Sequence, residues 1–461
     1  MKHKVKKIHF IGIGGVGMSG IAEVLHNLGY TVSGSDANQS YNTDRLKDLG
    51  LRILIGHTAE NVQDADVIVA STAIDKSNPE IIYGLENRVP IVPRAQMLAE
   101  LMRFKYGIAI AGTHGKTTTT SLAAEVLKEC NLDPTFVIGG KLATTGSNAK
   151  LGNGDYLVAE ADESDASFLL LSPMIAVITN IDLDHMDTYE HSEEKLKDAF
   201  IKFISRLPFY GRAIVCAEDS RIREILPRLN RPYTTYGFSS DCDIYATNVT
   251  AVASKMNFNL CIKNTQTCYP ITVNMPGLHN VLNSLAVIAV ALECEGNLAD
   301  VARGLANFNG VGRRCQYYPN ITKENIVATL IDDYGHHPVE LRATISALKA
   351  AYPEKRMVLI FQPHRFTRTR DLFDEFVSEL SKVDCLILTE VYAAGEKPIA
   401  MADGRALAKA IRAQGHDSVI FVETLDEAKD KLYNILLNDD LVITMGAGSI
   451  GKLPAQLVSL N

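Results

Sequence analysis

The chain has no C-x-x-C pair among its eight cysteines (130, 216, 242, 261, 268, 294, 315, 385). Their scatter argues against a zinc site or a disulfide framework and fits reduced thiols of a cytoplasmic protein. Acidic residues outnumber basic ones, 54 to 46. A net charge of −8 leaves no electrostatic footprint for nucleic acid or an anionic membrane surface. No apolar run approaches the roughly 20 residues of a membrane-spanning helix. The basic start Met1–Lys7 followed by apolar Ile8–Ile13 imitates a signal peptide, but four glycines interrupt it by position 17.

What is present is an ordinary globular composition, 46% hydrophobic and 22% charged over 461 residues, long enough for about three domains. The most informative stretch is Gly107–Ser121. A short apolar strand, Ile108–Ala111, leads into Gly112-Thr113-His114-Gly115-Lys116-Thr117, and a helical pattern follows from Thr118. Such a loop wraps backbone N–H groups around phosphate oxygens, its lysine adds charge and the next hydroxyl is placed for Mg²⁺. Ile110 stands where the general P-loop has its first glycine.

Three blocks of alternating strand and helix follow one another, which predicts an α/β protein with mainly parallel sheets. The first has strands at Lys7–Ile11, Thr31–Ser35, Arg52–Ile55 and Val67–Ala70. Its turn Gly12-Ile13-Gly14-Gly15-Val16-Gly17 is followed by Asp36 at the end of the second strand. This is a dinucleotide fingerprint, so a nicotinamide-dependent dehydrogenase is one reading. The glycines themselves require only that a diphosphate approach a helix N-terminus. A turn without a ligand is the plainer alternative.

The second block places acids at strand ends. Asp155–Glu160 runs into Glu160-Ala161-Asp162-Glu163-Ser164-Asp165, and Met174–Asn180 into Asp182-Leu183-Asp184-His185. Carboxylate oxygens beside a triphosphate suit Mg²⁺, with Glu160 best placed and His185 a candidate for a second ion. The third block begins near Gly310-Val311-Gly312-Arg313-Arg314. It carries Asp332-Asp333-Tyr334-Gly335-His336-His337-Pro338 and Gln362-Pro363-His364-Arg365-Phe366-Thr367-Arg368-Thr369-Arg370 after two strands. Arginine forks in such a stretch suit a carboxylate or phosphate. A further G-x-G-x-x-G at Gly446, Gly448 and Gly451 lies too near the end for another βαβ unit and reads as a substrate-facing loop.

Together these residues resemble the Mur ligase family, ATP-dependent amide-forming enzymes of peptidoglycan precursor synthesis. The resemblance rests on Gly112–Thr118, Glu160–Ser164, Asn180–His185, Gly277-Leu278-His279-Asn280 with Asn283, and Gly312-Arg313-Arg314. The stretches at Asp332–Pro338 and Gln362–Arg370 are similar to those of the member that adds L-alanine, the first amino acid, to UDP-N-acetylmuramate. The murein tripeptide-recycling member shares the sugar and the P-loop and is the near alternative. A non-enzymatic nucleotide switch would not need the basic stretch.

The resemblance implies three domains: a Rossmann-like UDP-sugar domain at 1–104, a central P-loop ATPase-like domain at 105–310 and a Rossmann-like C-terminal domain at 311–461. It implies that Gly12, Gly14, Gly15, Val16, Gly17, Asp36, Ser71, Thr72 and Arg94 hold the UDP-sugar. ATP falls to Gly112, Thr113, His114, Gly115, Lys116, Thr117, Thr118, Asn280, Asn283, Asp333 and one or both of Arg313 and Arg314. Thr117, Glu160 and His185 would hold two Mg²⁺ ions, with Mn²⁺ able to substitute. His364, Arg365 and Arg368 would form the L-alanine site, and His336 is the candidate base. Lys116, Glu160 and His185 would also act in catalysis. The expected partners are these small substrates, with no nucleic acid, no membrane insertion and the oligomeric state open. No one of Lys195, Lys197 and Lys202 is singled out for carbamylation.

Overall fold

The computed structural model describes residues 4–71, 73–142, 146–252, 254–263, 265 and 267–458. Among them the strands form three sheets. In the first, the order is Arg52–Ile55, Thr31–Asp36, Lys7–Ile11, Val67–Ala70 and Ile91–Pro93, all parallel. The chain reverses its direction of growth between Lys7–Ile11 and Val67–Ala70, so a ligand crevice opens beyond these strand ends. Gly12-to-Gly15 fills that position, and the helix Val16–Asn27 follows.

The central sheet runs Cys268–Val273, Lys255–Ile262, Ile244–Val252, Tyr233–Gly237, Arg212–Cys216, Ile175–Ile178, Tyr106–Ala111, Tyr156–Glu160, Thr135–Val137 and Ala149–Lys150. Pairing from Ile244–Val252 to Thr135–Val137 is parallel, and Ala149–Lys150 is antiparallel. Tyr106–Ala111 is central, between Ile175–Ile178 and Tyr156–Glu160, so the three strand ends that carry the P-loop and both acidic clusters are neighbours. The helix Lys116–Glu129 starts two residues earlier than expected.

The third sheet runs Gln316–Lys323, Ile326–Asp333, Leu441–Met445, Met357–Phe361, Cys385–Leu388 and Val419–Phe421, parallel except for its first pair. Met357, Leu359 and Phe361 feed one hydrophobic cluster, and Val358 and Ile360 feed another on the opposite face. A strand covered on both sides reads as a continuous apolar run for this reason.

By compactness the chain divides into two units. One holds residues 1–248, 258–272 and 282–309, and the other holds 249–257, 273–281 and 310–461. The expectation of eight unpaired cysteines is corrected at one place. Cys261 and Cys268 are joined by a disulfide with Cα atoms 4.5 Å apart, because neighbouring strands bring the two positions face to face. The remaining six are free. Among the described residues no helix is long and apolar enough to cross a membrane.

Candidate active site

The loop after Tyr106–Ala111 is shaped by two glycines with positive φ, Gly112 at 125° and Gly115 at 82°. A Cβ on Gly112 would fall 2.2 Å from Thr179 Oγ1, so only glycine lets the neighbouring strand end approach so closely. That strand end grips the loop. Asn180 Oδ1 accepts from the His114 N–H at 2.9 Å, while Asn180 Nδ2 and Thr179 Oγ1 donate to the His114 carbonyl at 2.9 and 2.6 Å. The Asp182 N–H donates to Thr113 Oγ1 at 2.8 Å. Thr179, Asn180 and Asp182 were not among the expected site residues, although Asn180–His185 stood out as a motif.

Lys116 folds back over this loop. Its Nζ donates to the carbonyls of Gly112 and Thr113 at 2.7 and 3.0 Å and to Glu163 Oε1 at 2.9 Å. Burial works against the ammonium, but Glu163, with Asp162 and Glu160 behind it, outweighs burial and holds its pKa above the ordinary lysine value. Glu163 is thus the acid paired with Lys116. Glu160 Oε1 instead accepts from the Gly139 N–H at 2.6 Å. The Thr117 side chain stands in the first turn after Lys116, half-buried, and Thr118 is buried. His185 sits in the left-handed region at φ 54°, its Nε2 3.5 Å from Asp184 Oδ2. Asn283 lies against the loop, since a Cβ on Gly115 would meet its Oδ1 at 2.9 Å.

The N-terminal turn belongs to the same unit. Asp36 Oδ2 accepts from the Gly14 N–H at 2.9 Å, so the acid that a dinucleotide site turns toward a ribose here braces the turn. Ser71 flanks Gly12. Arg94 crosses the helix start so closely that a Cβ on Gly17 would fall 2.5 Å from its Nη1, and its Nη2 donates to Asp162 Oδ2 at 3.2 Å. Burial opposes the charge of Asp162, but the Ser164 hydroxyl, Lys116 and Arg94 hold its carboxyl below the usual range. Thr72 lies outside the described residues. An open cavity of about 280 Å³ is lined by Gly14, Val16, Ser40, Tyr41, Asn42, Gly139, Gly140, Lys141 and Asn148. Lys141 Nζ rests 3.3 Å from the Tyr41 ring centroid. Neither residue was expected from the sequence.

The second unit gathers the remaining candidates. Arg313 is pinned by Asp332 at 2.9 Å and by the Gly446 carbonyl, and the absence of a Cβ at Gly451 makes room for its guanidinium. Arg314 lies over the Tyr334 ring at 5.2 Å, with Glu340 3.8 Å away. This separates the two arginines that the sequence left equivalent. The buried carboxylate of Asp333 accepts from the N–H groups of Cys315 and Gly335 at 2.8 and 2.7 Å. Asn280 Nδ2 donates to the Pro276 carbonyl at 2.7 Å. Gln362 Oε1 accepts from the Ile450 N–H at 3.0 Å, tying the last Gly-rich turn to the basic stretch.

In that stretch the His364 ring stacks on Tyr392 with centroids 5.6 Å apart, and Arg368 Nη1 donates to the His364 carbonyl at 3.3 Å. Burial, then His336, Arg368 and Arg365, push the His364 pKa down to about 4. Arg365 is exposed and begins the helix Phe366–Asp371 at φ 71°. The His336 ring lies 5.7 Å from that of His364, and burial holds its pKa below the ordinary histidine value. It is therefore a neutral imidazole at neutral pH, able to accept a proton.

Three consecutive segments match one family: residues 7–106 its "Mur ligase family, catalytic domain", 110–291 its "Mur ligase middle domain" and 313–448 its "Mur ligase, glutamate ligase domain". The chain belongs to the Mur ligase family. A UDP-N-acetylmuramate–L-alanine ligase of Chromobacterium violaceum is 57% identical over 462 residues, covering 100% of both chains. Among Mur ligases of known structure, the UDP-N-acetylmuramate–alanine ligase of Thermotoga maritima is 30% identical with a TM-score of 0.83 and 98% coverage of both chains. A murein peptide ligase of Psychrobacter arcticus shares the fold at a TM-score of 0.71 and 23% identity, with 98% of each chain covered.

Proposed function

We propose that this Mur ligase joins L-alanine to the lactyl carboxylate of UDP-N-acetylmuramate, converting ATP to ADP and phosphate. The observation that carries this reading is the end-to-end likeness to the Chromobacterium violaceum ligase of that name. The site chemistry supports it. The proposed division of labour gives the UDP-sugar to residues 1–104, ATP to 105–310, and further ATP contacts and the amino acid to 311–461.

In the proposed reaction the lactyl carboxylate attacks the γ-phosphorus of ATP, giving an acyl phosphate and ADP. Gly112–Thr118 cradle the phosphates, and Lys116 neutralises charge on the transferring group. Asn280 and Asn283 serve the adenine, and Arg314 and Asp333 serve the phosphates and ribose. The alanine amine then attacks the activated carbonyl and phosphate leaves. His336, neutral in this setting, takes the amine proton. Arg365 and Arg368 pair with the alanine carboxylate, with His364 beside them.

The oxygen donors of Thr117 and Glu160 are the kind Mg²⁺ takes, and Asp184 brings a further carboxylate beside His185. These residues would hold the ions, which when bound neutralise charge on the phosphoryl oxygens. The reading places the reaction in the cytoplasm.

The experiment is phosphate release with ATP, Mg²⁺ and UDP-N-acetylmuramate against a panel of amino acids and the recycling tripeptide. Release that depends on alanine is expected. Release with the tripeptide but not with alanine would transfer the chain to the recycling reaction.

A further inference from the structure

The two strand ends that flank the phosphate loop are tied to each other as well as to the loop. The strand Tyr156–Glu160 leads to Glu163, and Ile175–Ile178 leads through His185 into the short helix Met186–Tyr189. Tyr106–Ala111 lies between these two strands, so a bond that joins their far ends reaches across the end of the P-loop strand. Two such bonds exist. The buried Tyr189 hydroxyl donates to the Glu163 carbonyl at 2.5 Å, and the exposed Thr188 hydroxyl donates to the Ser164 carbonyl at 2.6 Å.

Both turns joined in this way are strained. Ala166 closes the acid turn at φ 57°, while His185, Glu190 and His191 stand at φ 54°, 53° and 56° around the short helix. None of the four is glycine, so each turn keeps a conformation that L side chains disfavour and that surrounding contacts must maintain. Burial, with Glu163, Asp162 and Asp165 near by, holds the Tyr189 pKa above the ordinary tyrosine value, so the phenol stays a donor. The Glu163 carbonyl does not need it for satisfaction, because the Ala166 N–H already donates there at 3.0 Å. What the phenol adds is position, at the one residue whose side chain holds Lys116.

We propose that Tyr189 is a positioning residue for phosphoryl transfer. By fixing the Glu163 main chain it sets where the Glu163 carboxylate holds Lys116, and so where the ammonium meets the transferring phosphoryl group. Tyr189 acts through Glu163 and Lys116 rather than on a substrate. The inference rests on the ligase reading given above, in which Lys116 neutralises that group.

The test is steady-state phosphate release by the full-length enzyme, with thermal unfolding as a check of folding. Tyr189→Phe removes one oxygen and leaves the Glu163 carbonyl its Ala166 partner, so the variant should fold. Its kcat should fall about tenfold, because small misplacements of a stabilising group are costly, while KM for the UDP-sugar and for alanine stays within about twofold. Thr188→Ala, at an exposed position, should lower kcat by about two- to threefold. A brace that served stability alone would lower the unfolding temperature and leave the kcat of the folded protein unchanged. A double-mutant cycle with Glu163→Gln separates the routes: in that background Tyr189→Phe should change kcat by less than about twofold. An undiminished kcat in Tyr189→Phe overturns the proposal, and a full tenfold loss in the Glu163→Gln background overturns the route through Glu163. Phosphoryl transfer precedes the choice of amine, so the same ratios hold with the recycling tripeptide. A wild type that turns over with the tripeptide but not with alanine overturns the alanine reading and not the role of Tyr189.

Discussion

The ammonium of Lys116 lies within 2.8–2.9 Å of both carboxylate oxygens of Glu163. The lysine that would neutralise a transferring phosphoryl group is therefore held by an acid from the neighbouring strand end. Lys116→Ala should lower kcat by about 10²–10³-fold while the affinity for UDP-N-acetylmuramate stays within twofold of wild type. Glu163→Ala should destabilise the protein by about 1–3 kcal/mol through the buried group it leaves without its partner. Steady-state kinetics, calorimetry and thermal unfolding read these effects. Equal loss of sugar binding in a folded Lys116→Ala would refute the division of labour.

Gly17→Ala places a methyl where the Arg94 guanidinium now lies. The arginine tip can swing aside, so the fold should survive with less than about 1 kcal/mol lost. Its contact with Asp162 should not survive, and the Kd for the UDP-sugar should rise severalfold. An unchanged Kd would take Arg94 out of the sugar site.

Arg368 is 9% exposed and braced on His364. Arg368→Ala should raise KM for alanine by about tenfold or more, with KM for ATP nearly unchanged. An unaltered alanine KM would remove it from the amino-acid site.

The depressed pKa of His336 means that its basic form persists as pH falls below the ordinary value near 6.5. Alanine-dependent turnover should therefore hold through pH 6.5 and decline only at lower pH. His336→Asn should remove that acid limb and reduce kcat by about 10²–10⁴-fold. The same limb in the variant would place the base elsewhere.

His9 lies fully buried in the first sheet, and burial pushes its pKa down to about 4. The unfolded chain then binds a proton near pH 6.5 that the folded chain refuses, so stability falls as pH drops from 6.5 to 4. This group contributes up to about 3 kcal/mol across that window. His9→Gln should flatten this part of the stability–pH curve in denaturant titrations. An identical slope in wild type and variant would contradict the assignment.

Much of this architecture was legible because doubly covered parallel strands announce themselves as short apolar runs. Lys7–Ile11, Arg52–Ile55 and Val67–Ala70 have the bounds expected. The strands Ile244–Val252, Lys255–Ile262 and Cys268–Val273 escaped notice, because they alternate buried and exposed residues and contain no such run. Their neighbouring order, and with it the Cys261–Cys268 bond, is a tertiary fact. In the candidate site, motifs disclosed the loops but not which side chain in each turns inward. Four acids lie within Glu160–Asp165, and only the path of the backbone decides that Glu163 meets Lys116 while Glu160 meets Gly139. Arg313 and Arg314 are adjacent in sequence, and a glycine far along the chain, Gly451, marks which one is enclosed.

The grip of Thr179 and Asn180 on the His114 peptide has a thermodynamic consequence for nucleotide affinity. A slack loop would have to be frozen by the incoming ligand, at about 1–2 kcal/mol per residue. Here that ordering is completed when the protein folds, so the cradle is preorganised and affinity is governed by charge complementarity. A substitution at Thr179 or Asn180, on the adjacent strand end, would then register as weakened ATP binding.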